Sequence, residues 1–206
     1  MAVTINRYSK PTKSGYSMTH IVAIAGSPSD KSKSTELIRK VFLHLEEIGF
    51  TTKLISVKDL SPEELIFGPA QDSQTLKNVT EHIERATGVV IATPVYKAAY
   101  SGVLKAFLDL LPQKSLAGKT VLPIMTAGSD KHLLAIDYAL KPVLSALGAT
   151  QILNGFFVSD DRAKRDQFGL LSLDDETEQR LGEQVSLLVS SVTLAASQPE
   201  IEAEVY

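Results

Sequence analysis

HIVAIAGSPSDKSKST, residues 20–35, orders an apolar run, a Gly-Ser-Pro turn and the start of a helix. His20–Ala25 is a short buried-type strand. Gly26-Ser27-Pro28 ends it, and a polar loop follows with hydroxyls at Ser27, Ser29, Ser32, Ser34 and Thr35. Leu37, Ile38, Val41, Phe42, Leu45 and Ile48 then recur at helical spacing, and Gly49 stands where a C-cap belongs. A helix N-terminus presents unpaired N–H groups and the positive end of the macrodipole, so it attracts anions. Hydroxyls add hydrogen bonds there without adding charge. The stretch therefore predicts a phosphate cradle. Its plainer reading is a Ser-rich turn with an N-cap at Ser32 or Ser34.

The same alternation continues downstream. Thr51–Val57 is β-branched and reads as a second strand. Leu76, Val79, Ile83 and Ala86 form a helical stripe, and Val89–Ala92 is a third strand, broken by Thr93-Pro94. A stripe over Val103–Leu111 stops at Pro112. Thr120–Met125 is a fourth strand. Leu133–Leu147 is helical in period, with Pro142 as a bend or break. Gln151–Val158 is a fifth strand with Gly155 as a bulge or break, and Leu181, Val185, Leu188 and Val192 mark a last helix. Five apolar strands alternating with helices predict an α/β three-layer sandwich, its parallel sheet covered on both faces. The flavodoxin-like strand order 2-1-3-4-5 suits five such units. Ligands of that topology bind beyond the C-terminal strand ends, where strands 1 and 3 part. The loops to inspect are Gly26–Thr35, Thr93–Gly102 and Thr126–His132.

Composition narrows the classes of function. The 206 residues suit one domain, assigned to residues 20–194. With 21 basic and 24 acidic residues, the net charge of −3 gives no reason to expect nucleic acid or an anionic membrane as partner. There is no cysteine, which removes disulfides, thiol catalysis and thiolate metal sites. No run approaches the ~20 apolar residues of a membrane span. Residues 1–19 are basic, without an apolar segment, and read as a disordered tail; a transit peptide, or initiation at Met18, is the alternative. Residues 195–206 read as an acidic C-terminal tail. A cytoplasmic location is expected.

The first loop lacks the Gly-Lys-Ser/Thr ending of a Walker motif and the three glycines of GxGxxG. A monophosphate therefore fits better than a triphosphate. In the second loop Pro94 stiffens the turn, backbone N–H groups are available to the polar edge of a flat ring, and Tyr96 is placed to cover it. Equally, it is a tight strand–helix connection with packed tyrosines. In the third, Gly128 lets backbone approach a ring. His132 reads as a solvated or capping residue. No HxH, HExxH or GxSxG pattern is present, so neither a metal nor a Ser-His-Asp triad is expected.

At these loops, AGSPSDKSKST (25–35), ATPVYKAAYSGVLKAFLDLLP (92–112) and HLLAIDYALKPVLSALGA (132–149) carry a resemblance to the NADPH-dependent FMN reductases. Within that family the chain most resembles the flavin reductase component of two-component alkanesulfonate monooxygenase systems. The resemblance implies hydride transfer from NADPH to FMN, with reduced FMN passed to a partner monooxygenase. It implies that Ser27, Ser32, Ser34 and Thr35 hold the FMN phosphate, that Pro94, Val95, Tyr96 and Lys97 line the ring and ribityl chain, and that Gly128 lies near the ring. It implies a homotetramer or homodimer. It matches Tyr100 to a tyrosine in a π-helical turn at a tetramer interface, a candidate for tuning flavin release, and names no obligate catalytic residue. Where many relatives read Gly-Ser-Pro-Arg this chain has Ser29, with Lys31 and Lys33 as the nearest substitute cations. Arg162, Lys164 and Arg165 read as solvated charge. The alternatives are a quinone or azo-dye reductase that retains FMN, or a flavodoxin-type electron carrier.

Overall fold

The computed structural model describes residues 19–69 and 72–197. Its central parallel sheet runs β2 (Thr51–Ser56), β1 (His20–Ala25), β3 (Gly88–Tyr96), β5 (Thr120–Ala127), and then β6 (Gln151–Ile152) and β7 (Phe156–Ser159), which share the far edge of β5. By position this is the expected 2-1-3-4-5 order, with the fifth place split between two short strands. A two-residue strand, β4 (Ala99–Tyr100), turns back antiparallel on the end of β3. A small antiparallel ribbon, β8 (Ala163–Arg165) with β9 (Leu171–Leu173), stands apart from the sheet.

Side chains alternate across the strands and fill two cores. On one face Ile21, Ala23, Val90, Leu122, Ile124 and Phe156 meet Leu37, Ile38, Val41 and Leu45 of α1 (Lys33–Glu47), and Leu181, Val185, Leu188 and Val192 of α6 (Asp175–Ser197). On the other, Val22, Ile24, Val89, Ile91, Val121 and Met125 meet three helical elements. These are α3 (Gln74–Arg85), α4 (Gly102–Asp109), and a π-helical segment at Ile136–Leu140 that leads into α5 (Lys141–Ala146). A short helix, α2 (Pro62–Phe67), follows β2 with a capping box at Ser61 and Glu64.

Two prolines explain where strands differ from expectation. Strand β3 does not stop at Thr93-Pro94; it continues to Tyr96, with Pro94 opposite Thr126. The carbonyl of Ala92 accepts from Gly26 N–H, so Ala92 and, two residues on, Pro94 point toward β1. Strand β1 has ended at Ala25, level with Ala92, so the N–H that Pro94 lacks has no ladder to serve. Pro123 sits in β5 the same way. Its flank faces the β6–β7 edge, and there the partner chain breaks between Ile152 and Phe156. Gly155 fills that break with φ +92°, and a Cβ on it would lie 2.9 Å from the Pro123 carbonyl oxygen.

Pro142 is similarly placed. The helix is π-type as far as Leu140, with Lys141 N–H donating to the Ile136 carbonyl, and it is α-helical from Lys141, next to Pro142, which has no N–H to donate backward. At the termini, Thr19 is buried and its carbonyl accepts from Thr51 N–H, so it belongs to the folded unit rather than to a tail. Helix α6 runs to Ser197 and so takes in the first three residues of the expected C-terminal tail. Residues 1–18 and 198–206, the rest of the expected tails at 1–19 and 195–206, lie outside the described residues.

Candidate active site

Strands β1, β3 and β5 release their loops side by side at the C-terminal sheet edge. The first leaves flush against its neighbours: Gly26 N–H donates to the Ala92 carbonyl at 2.7 Å, and a Cβ at Gly26 would lie 2.8 Å from Leu104 Cδ2 and 3.0 Å from that carbonyl. Only glycine leaves room there. The loop is then folded on its own hydroxyls. Ser27 Oγ accepts from Ser29 N–H at 3.1 Å, and Thr35 Oγ1 donates to the Ser29 carbonyl at 3.0 Å. Ser27 and Thr35 are buried, and the Thr35 proton is committed to loop geometry.

Ser32 stands at the N-cap of α1 without capping it. Its Oγ lies 2.8 Å from Ser34 Oγ instead. Ser61, Ser73 and Ser101, at the same position of α2, α3 and α4, each accept a backbone N–H three residues on. Among the described residues the first N–H groups of α1 thus keep no side-chain partner, and two hydroxyls converge beside them. An anion completes such a terminus.

The second loop is a hairpin. Val95 pairs with Tyr100 and Tyr96 with Ala99, so Lys97 and Ala98 form a two-residue turn with φ of 51° and 67°. Both lie in the left-handed region that a type I′ turn requires, at a cost of about 1 kcal/mol each for residues with a Cβ. Pro94 is buried under the hairpin, Val95 is half-buried, and Tyr96, Lys97 and Ala98 face outward. Gly128, after β5, is exposed, and a Cβ there would meet nothing within 4 Å. Together they make a shallow shelf beside the α1 terminus. Two concavities, of about 400 and 290 Å³, lie elsewhere, between α3 and the end of α4 and between α4 and α5.

Ser101 ties the two loops together. Its N–H donates to Thr93 Oγ1 at 3.0 Å, its Oγ donates to the Gly26 carbonyl, and the same Oγ accepts from Leu104 N–H at 3.1 Å. Sequence reading placed Ser101 in the second loop but gave it no role. Its spacing to α4 marks an N-cap; nothing linear signals the bond to Gly26, 75 residues away.

The structure corrects the expectation for Tyr100. That residue is extended, in β4, and its half-buried ring packs against the second-face core. Burial raises its phenol pKa. The π-helical segment is the one at Ile136–Leu140, against which β4 packs, and its tyrosine is Tyr138, 80 % exposed. Leu133 and Leu134, in the turn just before that segment, are also more than half exposed.

The basic residues divide unexpectedly. Lys33 pairs with Asp160 at 2.9 Å, whereas Lys31 carries no salt bridge among the described residues. Arg162 pairs with Glu176. Arg165 is exposed, as expected of surface charge, but it is not unpartnered: its guanidinium reaches across to Glu36 in the first turn of α1 and to the Lys31 carbonyl. His132 is half-buried in a single 3₁₀ turn. No cluster of metal-ligating side chains occurs among the described residues, and no described helix is long and apolar enough to cross a membrane.

Comparison with known proteins agrees with this geometry. Residues 19–164 match the family model of NADPH-dependent FMN reductases. An FMN reductase (NADPH) of Escherichia coli K12 is 46 % identical over 142 residues, covering 69 % of this chain and 74 % of that one. One from Pseudomonas putida is 44 % identical over 142 residues, covering 69 % and 72 %. Among solved structures, the apo form of the NADH:FMN oxidoreductase EMOB superposes with a TM-score of 0.75 at 37 % identity, covering 88 % of this chain and 92 % of that one. The chain belongs to the NADPH-dependent FMN reductase family and is an NAD(P)H:FMN oxidoreductase with a flavodoxin-like fold.

Proposed function

We propose that this enzyme takes FMN as an exchangeable substrate, with NADPH as donor, and passes reduced FMN to a partner monooxygenase of the alkanesulfonate-desulfonating kind. The observation that carries this reading is the openness of the shelf. Tyr96, Lys97 and Gly128 are exposed, and among the described residues of the chain none covers them.

The residues fit FMN at both ends. The phosphate belongs at the uncapped α1 terminus, where Ser32, Ser34 and the first N–H groups of the helix converge, and Ser27 and Thr35 hold the loop in that shape. The ring belongs on Pro94, Val95, Tyr96 and Lys97, with Gly128 leaving clearance on its flank. FMN supplies the hydride-accepting ring, and the chain supplies anchoring and orientation; no side-chain acid or base is required. The tuning role that the resemblance attached to Tyr100 passes to Tyr138. With Leu133 and Leu134 it offers an exposed apolar group beside the Gly128 loop, suited to a homotetramer in which one subunit approaches the flavin shelf of another. The protein is assigned to the cytoplasm.

NADPH oxidation measured with and without added FMN, after exhaustive dialysis, tests the reading. The dialysed protein should be colourless and turn over only when FMN is added. A yellow protein that keeps its flavin, and reduces quinones or azo dyes by ping-pong kinetics, would replace this reading with that of a retained-FMN reductase.

A further inference from the structure

We propose that Arg165 sets the charge of the phosphate site, by neutralising Glu36 and holding the loop at Lys31, and so decides how strongly the enzyme prefers FMN to flavins without a phosphate. The inference rests on the reading that the FMN phosphate occupies the α1 terminus.

Glu36 is the fourth residue of α1 and the only acid in its first turn. A carboxylate there suits the helix dipole, but it also competes with an incoming phosphate dianion. Arg165 removes that competition. Its two terminal nitrogens bond to the two carboxylate oxygens of Glu36, and Nη2 also donates to the Lys31 carbonyl at 2.8 Å. A guanidinium is matched to such a forked contact, and it stays charged at any pH the enzyme meets.

The arm that presents Arg165 is built to keep it in place. Arg165 ends β8, and Nη1 donates to the Gly169 carbonyl at 2.7 Å across the ribbon's turn. Asp166 Oδ1 accepts from Phe168 and Leu170 N–H at 2.8 and 2.9 Å, and Asp166 N–H donates to the Leu170 carbonyl. A second tie, Lys33 to the side chain and main chain of Asp160, joins the same loop to the end of β7. As a plain surface ion pair this contact would contribute little to stability. Its distinguishing feature is its target, the loop backbone and first helical turn that face the phosphate.

The test titrates FMN and riboflavin, by flavin fluorescence, into the wild type, Arg165→Met, Glu36→Gln and the double variant. Wild type should bind FMN more tightly than riboflavin. Arg165→Met should weaken FMN about threefold to tenfold, less at high salt, and leave riboflavin unchanged. Adding Glu36→Gln to Arg165→Met should restore FMN binding. Should Arg165→Met fold poorly, Arg165→Lys keeps the charge and should keep the FMN-to-riboflavin ratio. Equal weakening of both flavins, no change in either, or no recovery in the double variant overturns the inference while leaving the phosphate reading intact. A wild type that binds both flavins equally overturns the phosphate reading, and the inference with it.

Discussion

Replacing Ser101 with alanine removes one oxygen and the two hydrogen bonds it makes. Ser101 is 1 % exposed, and its Oγ both donates to the Gly26 carbonyl and caps α4 through Leu104 N–H. Loss of an N-cap costs about 1 kcal/mol. Leaving the Gly26 carbonyl without its donor in a dry site costs about 1–3 kcal/mol more. The two overlap, so Ser101→Ala should destabilise the fold by about 2–3 kcal/mol, which for a chain of this size is a fall in Tm of roughly 5–10 °C. The freed carbonyl belongs to the residue that launches the phosphate loop, so the KM for FMN should rise while the KM for NADPH changes little. Differential scanning fluorimetry with and without FMN, followed by steady-state kinetics, reads both effects. Ser101→Thr retains the hydroxyl and should retain most of the FMN affinity. A Tm within about 1 °C of wild type and an unchanged KM for FMN would show that the clamp does not hold the two loops.

Tyr138→Ala should leave thermal stability nearly unchanged, because the ring is 80 % exposed, but should lower the mass seen by light scattering from tetramer to dimer; an unchanged mass refutes the interface. Gly155→Ala should cost about 2 kcal/mol or more, since φ is +92° and the new Cβ meets the Pro123 carbonyl at 2.9 Å; a Tm equal to wild type would show that the β6–β7 break relaxes freely. His20 has its pKa lowered from 6.5, first by burial and then by His82 and Arg85, so the folded state binds its proton less readily than the unfolded chain. Stability should therefore hold above pH 6.5 and decline as pH falls through and below it; denaturant midpoints at pH 7.5 and 5.5 check this, and His20→Gln should flatten the slope.

The fold was legible because its signals are local. Buried parallel strands are continuous apolar runs, and α1 and α6 carry their stripes at helical spacing, so both the sheet order and the position of the three loops could be read from residue pattern. Prolines misled in one place and informed in another. Pro94 looked like a strand end, yet its missing N–H faces a side where β1 has already stopped. Pro142 did mark a real change, from π to α geometry. The phosphate loop was readable as a set of hydroxyls but not in its division of labour: that Thr35 holds the loop, and that Ser32 turns to Ser34 instead of capping α1, depends on rotamers. The π-segment tyrosine was matched to Tyr100 through the family resemblance, and residue pattern offered no check on that match, because helical periodicity is blind to a single extra residue in a turn. Ser101 and Arg165 act through partners 75 and 129 residues away in sequence, and no linear pattern encodes such a contact.

A crystal structure of the protein with FMN bound is the most direct measurement. The phosphate is expected against the backbone N–H groups of the first turn of α1, within hydrogen-bond reach of Ser32 and Ser34, and the ring over Val95–Lys97 with one flank toward Gly128. A phosphate bound anywhere else, or a ring seated in the concavity between α3 and α4, would contradict the assignment of residues 26–35 as the FMN phosphate loop.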